Sequence, residues 1–204
     1  SHDSFIYNKI KNKKNLISLS KKKYILFIDQ EQENSFEHRL LYGSPYIKSN
    51  YWERMESFFK FIEKKAGMEV IIAAHHRRMN TNFIKNRKIY KNQTPLLTLH
   101  SDIVLTHDSN ALNYAVLCKK PIIFLTLNEF NEKNKISAIK KLSRLLKAKI
   151  VNIDENYKRK FKNYPLKVSI KNYENYEKTH ISFNEMIKVE NMWVTIFNKL
   201  KNLY

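Results

Sequence analysis

Val70-Ile71-Ile72-Ala73-Ala74-His75-His76-Arg77-Arg78 is the stretch that decides the fold. Five apolar residues follow one another without polar alternation and then meet four basic residues. A half-buried strand would alternate, so this run predicts a strand covered on both faces, the environment of a parallel sheet. Comparable runs lie on either side of it. Tyr24–Ile28 precedes it, and Ile103–Thr106, Pro121–Leu125 and Lys149–Ile153 follow, with a brief strand at Ile89-Tyr90. Between 49 and 65, Trp52, Met55, Phe58, Phe59 and Ile62 recur at steps of three and four, the spacing of an amphipathic helix. Ser49 or Asn50 can cap its start, and Gly67 stands just past its end, where a left-handed residue is needed.

Further helices are predicted over 81–86, 94–100, 111–117, 135–148 and 183–203, with a Tyr- and Lys-rich connection before the last. Apolar strands alternating with amphipathic helices predict a doubly wound α/β domain, Rossmann-like, with a carboxy-terminal helix. Residues 1–20 carry Lys9, Lys11, Lys13 and Lys14 among few apolar residues and read as a basic linker or arm, leaving residues 21–204 as the domain.

Composition removes several classes of function. Only Gly43 and Gly67 are present, so no glycine-rich phosphate loop exists. Cys118 stands alone, which excludes a disulfide framework and a cysteine zinc cage and fits a reducing compartment. No apolar run approaches the roughly 20 residues of a membrane-spanning helix. The formal charge of +19, from 38 basic and 19 acidic residues, invites a polyanionic partner. The lysines are scattered, however, and the aromatic residues fall mostly at core spacing instead of alternating with Lys on a stacking platform. A nucleic-acid partner is therefore not expected.

In open α/β sheets the ligand lies beyond the carboxyl ends of the strands. Three strands here end in polar clusters: Asp29-Gln30, His75-His76-Arg77-Arg78, and His107-Asp108-Ser109-Asn110. His75 and Arg77 can donate to phosphate oxygens, Arg77 bidentately. Ser109 and Asn110 open a helix whose backbone N–H groups and dipole favour an anion. Each cluster alone has an ordinary reading as a strand terminus, helix cap or solvated charge. Adjacent His75 and His76 point opposite ways on an extended chain and do not suit one metal. His107 and Asp108 suggest acid–base chemistry, but no nucleophile at a suitable spacing completes a triad.

These residues also carry a resemblance. Residues 70–78 resemble the "VIIAAHPR" segment of bacterial surface-polysaccharide glycosyltransferases. Ile89-Tyr90-Lys91-Asn92-Gln93-Thr94 and Ser101–Ser109 resemble their "IYKGKT…SDFVIAHSS", and Asn113–Leu117 with Lys119–Leu125 resemble "NFAVL..KKPIIFL". The similarity covers about residues 22–130, in order. It implies the carboxy-terminal, nucleotide-sugar-binding domain of a GT-B glycosyltransferase, in which two such domains face each other across a cleft. His75 and Ser109 would then contact phosphate, and Thr94 would border the nucleobase. Departures are His76 for Pro, Asn92-Gln93 for Gly-Lys, and Asn110-Ala111 for Thr-Ser. The related sugar-nucleotide 2-epimerases would need a ribose-binding Glu where Asn113 stands.

The expectation is a Leloir-type donor domain acting on a bacterial surface glycan such as capsule or lipooligosaccharide. Its phosphate and nucleotide site would comprise Asp29, Gln30, His75, Arg77, Thr94, His107, Ser109 and Asn110. No cofactor is expected beyond the nucleotide-sugar substrate, and the lack of an Asp-x-Asp motif fits metal independence. The other expected partners are a glycan or lipid-linked glycan acceptor, an amino-terminal acceptor domain outside this chain, and an anionic membrane face. The implied location is cytoplasmic, peripheral at the inner membrane. No catalytic base is assigned; His107, Asp108 and Glu129 are the candidates that could face the cleft. The rivals are a CDP-alditol phosphotransferase on the same fold and a non-catalytic module for nucleic acid or anionic membrane.

Overall fold

A computed structural model describes residues 2–11, 22–34, 50–79, 84–133, 135–160 and 166–181, with the isolated positions 40, 47 and 201. Six strands form one sheet: β1 (Tyr24–Ile28), β2 (Glu69–Ala74), β3 (Ile89–Lys91), β4 (Ile103–Thr106), β5 (Ile122–Thr126) and β6 (Lys149–Asn152). Their order is β3-β2-β1-β4-β5-β6, and every pairing is parallel. The predicted doubly wound Rossmann-like sheet is therefore present. Ile25 is in register with Val70 on one side and with Ile103 on the other. Strand order reverses at this point, so the chain turns away in opposite directions beyond β1 and β4 and leaves a crevice.

The central strands are buried along their whole length, which is why they lack polar alternation. Helix α2 (Tyr51–Ala66) lays Tyr51, Met55, Phe58, Phe59 and Ile62 into the core. Phe27 receives Phe59 at 5.3 Å and Trp52 edge-on at 6.2 Å. Gly67 closes the helix at φ 68°, donating its N–H to Glu63 O at 2.8 Å. A side chain here would meet no neighbour, so the demand for glycine is conformational. Helices α3 (Thr94–His100), α4 (Leu112–Leu117) and α5 (Lys135–Leu146) follow as predicted, each within two residues of the expected bounds.

Three regions differ from expectation. Residues 2–11, read as part of a linker, form helix α1 (His2–Lys11), packed on α3 and α4. Asn113 Nδ2 donates to Asp3 Oδ2 at 2.8 Å and fixes the contact. The Tyr- and Lys-rich connection holds the short helix α6 (Tyr157–Lys160) and helix α7 (Ile170–Tyr176), which runs on into a π turn. Tyr173 and Tyr176 are buried there, and the Tyr173 hydroxyl donates to Lys120 O at 2.9 Å. The helix expected over 183–203 lies outside the described residues except for position 201. The first half of that expected over 81–86 is outside as well, and its described half, 84–86, is a bend and turn with Asn86 at φ 60°. No helix among the described residues is long and apolar enough to cross a membrane.

Candidate functional site

A cavity of about 590 Å³ opens at the strand-order reversal, against the carboxyl ends of β1, β2 and β4. That volume suits a small-molecule ligand. Asp29, Gln30, His75, Arg77, Thr94, Ser109 and Asn110, all expected at the site, line it. They come from three strand ends and the start of α3. Residues not singled out as ligand-binding also line it: Glu31, Gln32, His76, Asn92, Asp108, Ala111 and Lys135. Glu31 and Asn92 sit at φ 52° and 59°. Left-handed backbone costs an ordinary L-residue roughly 1–2 kcal/mol, and both strained positions border the cavity.

Asp29 is occupied by the protein itself. Its Oδ1 accepts the Glu31 N–H at 2.9 Å and Arg78 Nη2 at 3.0 Å. Its Oδ2 accepts Arg78 Nε at 2.7 Å and the His75 N–H at 3.1 Å. Arg78 also donates to Glu33 Oε1 at 2.8 Å and lies over the Trp52 ring. Its guanidinium pKa is raised by hydrogen bonds to Asp29 and Glu33, against the opposing effect of burial. The sequence left Arg78 as possible solvated charge; it is 3% exposed and instead locks the turn after β2 to the end of β1.

Across the crevice the end of β1 is tied to the end of β4. Gln30 Nε2 donates to Asp108 Oδ1 at 2.9 Å, and the Asp108 N–H donates to Gln30 Oε1 at 3.0 Å. Lys135 Nζ comes from the first residue of α5, lying 3.0 Å from Asp108 Oδ1 and donating to Gln32 Oε1 at 2.7 Å. Burial lowers the Lys135 pKa, partly offset by Asp108.

His107 is the expected site residue that the cavity does not include. It is fully buried. A carbonyl only accepts, so His107 Nδ1 carries the proton and donates to Leu125 O at 2.7 Å. Nε2 therefore accepts the Tyr51 hydroxyl at 2.9 Å. Burial pushes the pKa down to about 4, leaving a neutral imidazole packed against Phe27 and Phe130. Just beyond the end of β4 at Thr106 the two neighbours part, Asp108 lining the cavity and His107 lying buried in the core. Glu129 is also withdrawn from the cavity: Arg54 Nη2 donates to its Oε1 at 2.8 Å, while Nη1 holds Asp154 at 2.9 Å.

His75 lines the cavity and is partly buried. Its Nδ1 lies 3.6 Å from Glu31 Oε2 and has no hydrogen-bond partner among the described residues. Burial, followed by the adjacent His76, lowers its pKa, with Asp29 and Glu31 opposing. The expected cradle of helix N–H groups is altered. Helix α4 has only six residues, and the Leu112 N–H donates to Ser109 O at 3.0 Å while the Ala111 N–H donates to Ser109 Oγ at 3.2 Å. Ser109 and Asn110 line the cavity, while the N–H groups of Ala111 and Leu112 are turned onto Ser109. Among the described residues no three His, Cys, Asp or Glu side chains converge as a metal-ligand set.

No protein-family model matches the chain, and no curated protein matches it in sequence. Several solved structures are similar. The Methanocaldococcus jannaschii UDP-GlcNAc 2-epimerase, in complex with UDP-GlcNAc and UDP, gives a TM-score of 0.48 at 15% identity, over 86% of this chain and 51% of that one. The glycosyltransferase SnogD from Streptomyces nogalater gives 0.43 at 10% identity, over 66% and 32%. The Thermosulfurimonas dismutans β-Kdo 2,4 transferase KpsC gives 0.38 at 16%, over 61% and 42%. The chain thus spans about a third to a half of the length of these structures.

Proposed function

We propose that this chain is the nucleotide-sugar-binding half of a glycosyltransferase, acting with a second domain that presents a surface-glycan acceptor. The observation that carries the proposal is the cavity at the reversal of strand order, where His75, Arg77, Thr94, Ser109 and Asn110 converge from separate elements. Arg77 and His75 supply donors suited to phosphate oxygens, and Ser109 and Asn110 supply hydroxyl and amide groups on the opposite wall. Transfer of a sugar leaves a nucleoside phosphate behind. Preorganised donors around that leaving group lower the barrier without a metal ion. The resemblance of residues 22–130 to surface-polysaccharide glycosyltransferases supports the same assignment, with His75 and Ser109 at the phosphate and Thr94 at the base.

Titration calorimetry on the full chain with CMP, CDP, UDP, GDP and ADP tests this reading. One nucleotide is expected to bind selectively, and both Arg77→Ala and Ser109→Ala are expected to weaken it. Absence of any binding, or equal affinity in both variants, overturns the assignment.

A further inference from the structure

A carboxylate in a cavity meant for phosphate needs its own explanation, because it repels the ligand's charge. Asp108 is such a carboxylate. It lines the cavity, its side chain is 23% exposed, and it is held in place from several sides. Its backbone N–H is bound by Gln30, and among the described residues its side-chain contacts, from Gln30 Nε2 and Lys135 Nζ, both fall on Oδ1. Oδ2 is therefore the oxygen that Asp108 has to offer a ligand. Asp29, one strand over, shows the contrast: donors fill both of its oxygens.

A fixed carboxylate oxygen beside a cation accepts hydrogen bonds and donates none, so it selects a donor on the ligand. A phosphate oxygen is excluded as that donor, whereas a hydroxyl fits. The lysine is committed as well: Nζ lies between Asp108 and Gln32 and over the Phe130 ring, so it acts to hold Asp108 in place. The surface-glycosyltransferase segment that this region resembles has Ser where Asp108 stands, so the carboxylate belongs to this chain and not to the resemblance.

We propose that Asp108 is a specificity-determining residue that accepts a hydrogen bond from a hydroxyl of a phosphorylated, hydroxyl-bearing ligand, with Gln30 and Lys135 as its positioning residues. The inference rests on the nucleotide-sugar reading of the cavity and adds the recognition of the ligand's sugar. That hydroxyl has two sources, the ribose of the nucleotide and the transferred sugar.

The test separates this idea from the phosphate site. Pyrophosphate, the selected nucleoside diphosphate, its 2′,3′-dideoxy analogue and the matching nucleotide-sugar are titrated into the wild-type chain and Asp108→Asn. Pyrophosphate is expected to bind Asp108→Asn at least as well as wild type, because a repelling charge is gone. A ligand whose hydroxyl meets Asp108 is expected to lose about 10- to 100-fold, the scale of a hydrogen bond to a charged group. If the dideoxy analogue is weakened on wild type but equal on the variant, the ribose is the source. If only the nucleotide-sugar discriminates, the transferred sugar is the source. Equal loss of every ligand, pyrophosphate included, overturns the proposal in favour of a structural role. Full retention of every ligand overturns it too. Failure of pyrophosphate and all nucleotides on wild type sinks the phosphate reading itself. The dideoxy comparison on wild type needs no variant, so misfolding of Asp108→Asn does not protect the idea.

Discussion

Asp29 and Asp108 lie one strand apart on the same edge of the same sheet, and they do opposite things. Asp29 closes β1 and accepts four hydrogen bonds, two from Arg78 and two from backbone N–H groups. It is 2% exposed. Asp108 follows β4, lines the cavity, and receives Gln30 and Lys135 on one oxygen alone among the described residues. Both are carboxylates beside cations. What separates structure from recognition is saturation: a carboxylate whose lone pairs are all used holds the chain together, and one with an oxygen to spare can meet a ligand.

The largest effect that would break this contrast belongs to the saturated cluster. Arg78→Ala leaves the Asp29 carboxylate buried without its cation and removes the cover over Trp52. Losing one partner of a buried pair costs about 3–5 kcal/mol. Urea unfolding should show this as a large fall in midpoint. If Arg78→Ala unfolds like wild type yet loses nucleotide binding, Asp29 and Arg78 are site residues and the division drawn between the two carboxylates is wrong.

Next in size is a pH effect that reports on His107, the core neighbour of Asp108. Unfolded, this imidazole takes up a proton near pH 6.5; folded, it resists until about pH 4. The unfolded chain therefore binds more protons between those values. The contribution is complete above pH 6.5 and is lost as pH falls towards 4, reaching about 3 kcal/mol. Urea midpoints measured from pH 7.5 down to 4.5 should drop in the wild type. His107→Leu should be less stable at neutral pH but flatter across this window. An equally steep decline in the variant would assign the acid sensitivity to other groups.

Parts of this contrast were legible in the chain and parts were not. Continuous apolar strands and the helix ending at Gly67 follow from local residues, so the sheet and α2 fall where the pattern puts them. Strand ends carry the candidate site residues by topology, so most of the expected set meets at one cavity. Three things escaped. His107 and Asp108 follow directly on β4, and which of the two faces the cavity is set by the turn beyond the strand, which the local pattern does not give. Lys135 arrives from the far side of β5, and nothing local marks it. Helices α1 and α7 bury tyrosines and polar side chains against α4, and such surfaces look solvated when apolar residues are counted.

A smaller effect sharpens the cavity side. On the proposed phosphate site, Ser109→Ala and Arg77→Ala should each remove one donor, worth about 1–2 kcal/mol, or roughly tenfold in affinity. Neither is expected to lower stability by more than about 0.5 kcal/mol, since Arg77 is exposed and Ser109 is bonded within its own turn among the described residues. Calorimetry and unfolding on the same samples give both numbers. A stability loss as large as that of Arg78→Ala would move these residues to the saturated side of the comparison.

A small change is also expected in the stability of Asp108→Asn. The amide keeps the shape of the carboxylate, and the Asp108 backbone bond to Gln30 is untouched. What changes is felt by Lys135. Burial already lowers its pKa and Asp108 pulls it back, so losing the negative charge lets burial act with less opposition. The ammonium retains Gln32 and the Phe130 ring, and it can shed its proton at lower pH instead of forcing the fold open. The cost should therefore stay near 1 kcal/mol, well below that of Arg78→Ala. Amine-reactive labelling should find Lys135 titrating at lower pH in the variant than in the wild type. A loss of 3 kcal/mol or more, with Lys135 titrating unchanged, would mean that Asp108 is saturated like Asp29 and has no oxygen to give a ligand.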